Sequence, residues 1–516
     1  CSNHFNWGIK MRLINKMFDE IYQIGTDDIL EFKAYLAGEW ILGTELYDVS
    51  SPIDGNIIAR ISKLNTKQIQ ETLEKIHRIG RDRIRSYSGE NRIKSFLKSS
   101  HLMRESLDDF VNVLVYDAGK PKGNANGETE ATIERLEKTT MESRRLSGDY
   151  IPGDWSRDTL ESEGIVKREP YGITLAISPF NYPLFISATK IIPALLSGNA
   201  IILKPSSEDP IAPLMFTRIL ELAGFPKESF ATLTISGKDA DILVGDRRIN
   251  TVTFTGSTQI GLDILKSAGI KNFHMELGGK DPAIVLNDAN LDKTVDELIK
   301  GMIGYSGQRC DAIRLILAEQ DIYSSLKDKL VEKLKTIEPR NPLEDENAIM
   351  GPLISNKSAE FVDEIYHDKD AIEKGAKPLL KFKRDGNYVW PVVIESSKEI
   401  VHSLRAFHED IFGPLTLLIK VKDEDDAIEI ANSSRFGLDA AIFGENEVKI
   451  RKIVRKLEVG SVFINSSPRH GTGYYPFGGM KDSGMGREGI GYSIEQLTTT
   501  KTIVHNFKGR GIWKYI

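Results

Sequence analysis

From Tyr171 onward, compact apolar runs alternate with longer stretches whose apolar residues recur at helical spacing. Ile173-Thr-Leu-Ala-Ile177 is a strand-length run bounded by glycine and proline, and Phe185 to Leu196 carries a helical stripe. Ala200-Ile-Ile-Leu203 predicts a second strand, Ile211 to Ala223 a helix stopped by Gly224, and Ala231-Thr-Leu-Thr-Ile235 a third strand. Thr251-Val-Thr-Phe254 and a helix after Thr258 continue the series. Strands alternating with helices in this way imply a parallel sheet, because parallel neighbours need crossover connections and cannot be joined by tight turns.

Beyond Gly278 the alternation resumes with Ala283-Ile-Val-Leu286, a helix from Leu291 to about Ile303, and Arg314-Leu-Ile-Leu317, which makes a second α/β region. Gly148-Asp-Tyr-Ile-Pro-Gly153 leads into Gly164-Ile-Val-Lys-Arg168, and these glycine-bounded β-formers predict a hairpin. Lys501 to Phe507 reads as a closing strand, followed by an aromatic tail, Gly509 to Ile516, of the kind that docks on a partner subunit.

Composition narrows the class. At 516 residues the chain exceeds one ordinary core and should divide into two or three domains. With 40% hydrophobic and 28% charged residues it reads as globular, and no apolar run approaches the roughly 20 residues needed to span a bilayer. A net charge of −6 offers no general field for nucleic acid or anionic lipid, so any anion site must be local. The two cysteines, Cys1 and Cys310, do not form a disulfide framework and fit a reducing compartment. The stretch from Cys1 to about Asp28 lacks the apolar core of a secretory signal, which makes the cytoplasm the expected location.

Against this background a few segments carry chemistry. Ser306-Gly-Gln-Arg-Cys310 sets a thiol after a glycine-containing turn, with Arg309 placed to favour the reactive thiolate; taken alone, Cys310 reads more readily as a small buried hydrophobe. Met275-Glu-Leu-Gly-Gly-Lys-Asp-Pro282 puts Glu276 at a strand end, before two glycines that allow a tight turn or close approach; partial burial would raise its pKa into the range of a general base, though an isolated Glu is more commonly a solvated or salt-bridged surface residue. Ser178-Pro-Phe-Asn-Tyr-Pro183 lies where a parallel strand gives way to its helix. There the Asn181 amide can donate to an oxyanion or cap the helix. Lys204-Pro-Ser-Ser207 and Phe254-Thr-Gly-Ser-Thr-Gln-Ile-Gly261 end the next strands, and around Gly256 and Gly261 free backbone N–H groups at a helix start can meet a pyrophosphate. This last segment is neither the G-x-G-x-x-G fingerprint nor a phosphate loop.

Taken in this order, and with Ile411-Phe-Gly-Pro414, the segments resemble the aldehyde dehydrogenase superfamily from about Ala37 to near the C-terminus. The resemblance implies an α/β architecture. A Rossmann-like, five-stranded cofactor-binding domain would comprise residues 31–147 and 171–277, and an α/β catalytic domain residues 278–477. A β arm from 148–170 and 495–516 would pair subunits into a homo-oligomer, expected to be a tetramer, with a return to the cofactor domain over 478–494 and an N-terminal extension over 1–30. It further implies that Cys310 attacks an aldehyde, that the Asn181 amide and the Cys310 N–H hold the oxyanion, and that Glu276 activates water against the thioester. No metal is implied. Lys204 would hold the ribose of NADP or NAD, with Ser178, Phe180, Gly256, Ser257, Gly261 and Leu277 around the cofactor and Phe412 on its nicotinamide side. Asp410 stands where the family usually has a ribose-binding Glu, with Glu409 before it, so the shorter side chain reaches differently. Ser207 stands where NAD-selective members usually carry Glu, whose charge would repel a 2′-phosphate, so NADP is expected to serve at least as readily as NAD.

Within the superfamily, Gly307-Gln-Arg-Cys-Asp-Ala-Ile313 and Pro468-Arg-His-Gly471 look most like non-phosphorylating glyceraldehyde-3-phosphate dehydrogenases of the archaeal type. By that resemblance Arg135, Tyr182 and Arg309 fall on phosphate-binding positions, and either Arg469 or His470 on the last one, the alignment being ambiguous by one residue. Arg135 could instead be a helix-surface charge. The alternatives are another aldehyde dehydrogenase, acting on succinate semialdehyde or lactaldehyde, where the same arginines grip a carboxylate, and a non-catalytic binding protein that kept the fold.

Overall fold

The computed structural model describes residues 11–507, so Cys1 and the aromatic tail from Gly509 lie outside the described residues. Helix α1 (Lys122–Met141) precedes the first sheet, whose strands are β1 (Ile173–Ile177), β2 (Ala200–Lys204), β3 (Phe230–Thr232), β4 (Thr251–Thr255) and β5 (Asn272–Glu276). They pair in parallel in the order β5-β4-β1-β2-β3, with helices α2 (Pro183–Ser197), α3 (Ile211–Ala223) and α4 (Thr258–Ser267) between them. These five strands are the expected parallel core, extended by antiparallel strands that the sequence pattern did not reveal. Gly484–Met485 adds to β5, and Ala34–Tyr35 with Trp40–Ile41 adds beyond β3. β3 is shorter than expected because the chain leaves the sheet after Thr232, where the Thr234 hydroxyl donates to Ser62 O at 2.5 Å.

The strand order reverses at β1. The loops after β1 and β4 therefore diverge at the carboxyl edge of the sheet, which opens the crevice where ligands of such sheets collect. All five residues of β1, β2 and β4 are buried, as expected of strands covered on both faces. The core under this sheet reaches back to the start of the described chain, since Met11, Phe18, Ile21 and Leu30 are buried in it.

The second sheet contains β6 (Asp281–Val285), β7 (Ile313–Glu319), β8 (Val392–Ser396), β9 (Leu415–Val421), β10 (Asp439–Phe443) and β11 (Ser461–Ile464), with α5 (Leu291–Ile303) between β6 and β7. Its parallel order is β8-β9-β7-β6-β10-β11. Successive residues serve opposite faces: Ile284 joins one core, and Ala283 and Val285 the other. A third sheet stands apart from both: Ser162–Pro170 pairs antiparallel with Asp149–Pro152, as the predicted hairpin, and with Thr498–Asn506, with Thr498 opposite Pro170. No helix among the described residues is long and apolar enough to cross a membrane.

Candidate active site

The loop that carries Cys310 forms where α5 ends. Tyr305 (φ 49°, ψ 46°), Ser306 (φ 55°, ψ 28°) and Gly307 (φ 75°) run left-handed in succession, a conformation that costs a residue with a Cβ about 1–2 kcal/mol. Hydrogen bonds hold the turn. Tyr305 donates to Ala118 O at 2.7 Å, the Ser306 hydroxyl donates to Gly351 O at 2.8 Å, and Ser306 Oγ accepts from Gly351 N at 3.1 Å. A side chain at Gly307 would come within 2.5 Å of Gly413 O. The turn delivers Cys310, partly exposed, to the junction of two chambers, both of which it lines.

The two glycines after Glu276 have separate reasons. A Cβ at Gly278 would meet the Asp410 carboxylate at 2.5 Å, and one at Gly279 would meet the Cys310 carbonyl oxygen at 2.5 Å. Three segments from distant parts of the chain converge there, and only glycine leaves room.

The first chamber, a cleft of roughly 720 Å³, opens along the carboxyl edge of the first sheet. Ser178, Phe180, Lys204, Ser207, Gly256, Ser257, Leu277, Asp410 and Phe412 all line it. Gly261 does not. A Cβ there would strike Leu277 Cδ2 at 2.4 Å, and its N–H is spent inside α4 on Ser257 O at 3.0 Å, so it is a packing site under Leu277. Gly256 also has no free N–H, since it donates to Glu276 O at 3.1 Å. Asp410 is held against the Gly278–Gly279 backbone, on a loop anchored by the buried Lys280, which donates to Ala406 O at 2.9 Å and also to Glu409 O. Burial pushes the Lys280 ammonium down to about 7. Glu409 pairs instead with Arg405 at 2.6 Å. The Phe412 ring meets Phe180 edge-on at 6.0 Å.

A dinucleotide fits this cleft. Lys204 Nζ has no protein partner among the described residues and lies in a largely buried setting that lowers its pKa, so it is a donor awaiting oxygen. Ser207 stands exposed at the rim beside Ser206 and Glu208, leaving space for a ribose substituent.

The second chamber, roughly 380 Å³, brings together Arg135, Tyr182, Arg309, Arg469 and His470. Arg135 is not a surface charge: it is 1% exposed, donates to Thr472 O at 2.8 Å, and lies so close to Gly473 that a Cβ there would meet Nη1 at 2.0 Å. Asn124, Gly127, Glu128, Ala131 and Arg135 present one face of α1 to this space. The Tyr182 ring is capped by Lys120 Nζ, 3.8 Å from its centroid. Arg469 sits at the rim, exposed, whereas His470 is inside, edge-on to Phe463 and Phe477, with Nε2 2.6 Å from Asp439 Oδ2. Both neighbours in the one-residue ambiguity therefore face the chamber.

Arg309 does not leave Cys310 as a thiolate. Its guanidinium is committed to Asp311 through Nε at 3.0 Å and Nη2 at 2.7 Å, and to Pro468 O at 2.7 Å. Burial, with Asp311, Asp281 and Asp439 nearby, pushes the thiol well up despite Arg309. Asp311, Asp439 and His470 bring ligand-type atoms within 4.8 Å of one another, but these groups already pair with Arg309 and with each other, so the cluster reads as a hydrogen-bonded network.

Asn181 Nδ2 donates one hydrogen to Gln308 O at 3.1 Å, which keeps its second N–H two residues from Cys310. Glu276 lines neither chamber, is 1% exposed, and lies against His274 Nε2 at 2.9 Å with Oε2 unpartnered. Burial, reinforced by Glu488, pushes its pKa well above the carboxylate range. Sequence reasoning missed His274, Lys190, Asp439 and Glu488. The signal at Asp439 was a charge inside the apolar run Leu438-Asp-Ala-Ala-Ile-Phe443, and at His274 its place two residues before Glu276 on a strand.

Two parallel sheets, a cleft along the first and a cysteine at its inner end define the class, the aldehyde dehydrogenase family. Residues 40–503 match the Aldehyde dehydrogenase family, and the chain belongs to it. Among its relatives, an NADP-dependent glyceraldehyde-3-phosphate dehydrogenase of Streptococcus equinus is 36% identical over 92% of this chain and 98% of its own length. A lactaldehyde dehydrogenase of Methanococcus aeolicus is 34% identical over 92% of this chain and 100% of its own. The crystal structure of NADP-dependent glyceraldehyde-3-phosphate dehydrogenase from Bacillus halodurans C-125 complexed with NADP matches with a TM-score of 0.88 at 32% identity, covering 92% of this chain and 99% of that one.

Proposed function

We propose that the chain oxidises glyceraldehyde 3-phosphate to 3-phosphoglycerate through a thioester on Cys310, with NADP or NAD and without inorganic phosphate. The observation that carries this reading is the position of Cys310, between a dinucleotide-sized cleft and a chamber bearing Arg135, Arg309, Arg469 and His470. Guanidinium forks suit phosphate oxygens, and a charge-assisted hydrogen bond contributes about 1.5–3 kcal/mol. The Cys310 thiol passes its proton to solvent water as Sγ bonds to the aldehyde carbon, and the second N–H of Asn181 with the Cys310 N–H receives the oxyanion. When bound, the nicotinamide supplies the hydride acceptor. Glu276 then turns from His274 toward the thioester, ionises once out of its buried site and takes a proton from water; the hydroxide adds to the acyl carbon, the C–S bond breaks, and that proton passes to the sulfur. Lys204 and Asp410 would hold the cofactor, and Ser207 would leave room for a 2′-phosphate. A reducing, cytoplasmic setting suits the free thiol.

A second reading, oxidation of lactaldehyde, is favoured by the Methanococcus aeolicus relative and by the carboxylates of Glu128, Asp311 and Glu488 among the lining residues, which offset part of the cationic charge. The deciding assay is NADP reduction with each aldehyde in phosphate-free buffer, with product identification. 3-Phosphoglycerate as the preferred product supports the proposal, and equal kcat/KM for the two aldehydes would sink the phosphate assignment. A kcat/KM ratio above tenfold in favour of NAD would overturn the cofactor preference. In the same assay Cys310→Ser should lose nearly all hydride transfer, whereas Glu276→Gln should give one burst of NADPH and stall. A steady wild-type rate in either variant would refute its role.

A further inference from the structure

Glu276 is buried outside both chambers, and His274 supplies its hydrogen-bond partner there. The two residues are two apart on β5, share one face of the strand, and are 4% and 1% exposed. His274 Nε2 lies 2.9 Å from Glu276 Oε1, and its Nδ1 lies 3.1 Å from the hydroxyl of Thr253, its cross-strand partner on β4. Lys190 of α2 donates to that hydroxyl at 3.3 Å and to Glu488 Oε2 at 3.5 Å, and Glu488 lines the substrate chamber. The closing segment seals the ring from the other side, since a Cβ at Gly486 would touch His274 Cδ2 at 2.8 Å.

We propose that His274 is a positioning residue for Glu276, holding the carboxyl in a retracted site away from Cys310 and releasing it for the hydrolytic step. This rests on the thioester reading above. Without the imidazole, neither Glu276 oxygen would have a hydrogen-bond partner in the buried site, because Oε2 already has none. An unpaired buried carboxyl is costly, so the side chain would move toward the chambers.

A neutral imidazole suits this task because it offers one donor and one acceptor. When Glu276 carries its proton, Nε2 accepts it in a hydrogen bond and Nδ1–H donates to Thr253 Oγ. When Glu276 is ionised, Nε2–H donates and Nδ1 accepts from the Thr253 hydroxyl. The ring proton changes nitrogen and the imidazole stays neutral in both states; the one charge that appears is on the carboxylate, whose proton leaves to solvent. The ring stays neutral because burial, helped by Lys190 and Arg487, holds its pKa down to about 4. The charged groups acting on the pair are Lys190 from α2, Arg487 and Glu488 from the closing segment, and Asp439 from β10.

The test needs neither cofactor nor substrate. Alkylation of Cys310 by iodoacetamide at neutral pH, followed by peptide mass spectrometry, reports how often a base reaches the thiol. His274→Leu should speed alkylation by about tenfold, the equivalent of one net buried hydrogen bond. The gain should vanish in the Glu276→Gln background, and His274→Gln, which keeps a donor within reach of Oε1, should stay near wild type. In turnover with whichever of glyceraldehyde 3-phosphate and lactaldehyde reacts faster, His274→Leu should move the acid limb of the kcat profile to lower pH. Should the leucine variant fail to fold, His274→Asn, too short to reach Oε1, replaces it against His274→Gln. An unchanged alkylation rate, or a gain that survives Glu276→Gln, overturns the proposal. Loss of the NADPH burst in Glu276→Gln itself would instead remove the thioester reading on which it stands.

Discussion

At the scale of single residues, the site depends on charges placed where apolar packing would be easier. Asp439 is the clearest case: fully buried on β10, it holds His470 at 2.6 Å and raises the imidazole above its ordinary 6.5, against the effect of burial. A group whose folded pKa is raised stabilises the fold fully below its unfolded pKa and loses that contribution as pH climbs through the folded value. The pair should therefore contribute most below about pH 6.5, by about 1.4 kcal/mol for each unit of elevation, and least in alkaline solution. In Asp439→Asn the deficit in Tm relative to wild type should be widest near pH 6 and should close toward about pH 9. Parallel Tm curves for the two proteins would contradict the pairing. The chemistry-bearing residue types were legible in the sequence because motifs carry them locally. The partners that set their state were not: Asp439 meets His470 across 31 positions, and Lys190 meets Glu488 across 298.

At the scale of elements, regular structure followed the hydrophobic period wherever one segment settled its own burial. α3 and α5 begin and end where the pattern places them, and β1 spans the predicted run. The pattern fell short where burial depended on distant chain. β8 to β11 complete a sheet whose order no local signal specifies, and the Ala231 run is cut short because its continuation bonds to residues near Ser62. Gly261 shows the same limit at a functional edge: it resembles a phosphate-facing glycine, yet its role is to admit Leu277. Gly261→Ala should push Leu277 into the first chamber and raise KM for NADP by about tenfold, a cost of about 1.4 kcal/mol, while kcat changes little. Cofactor titration and steady-state kinetics check this, and an unchanged KM would mean that Leu277 repacks freely.

At the scale of the whole molecule, the sheet formed by Asp149–Pro152, Ser162–Pro170 and Thr498–Asn506 projects apolar side chains outward. Val504 is 63% exposed and Tyr150 53%, and Trp155, in the connection between the first two strands, is 78% exposed, which marks a surface suited to being covered by another molecule. The expected outcome is a homo-oligomer that buries them, read as mass by analytical ultracentrifugation, with Trp155→Glu shifting the protein toward smaller species. A monomer in both proteins would contradict it.

The end of the chain is also woven into its middle. Gly484 pairs with Glu276, Glu488 with Lys190, and Thr498 with Pro170. A polypeptide still emerging from the ribosome with everything through His470 outside would hold Cys310, yet the wall behind Glu276 would be missing. Competence to turn over an aldehyde should therefore arrive late and abruptly during synthesis, once the segment from Gly484 to Thr498 has docked.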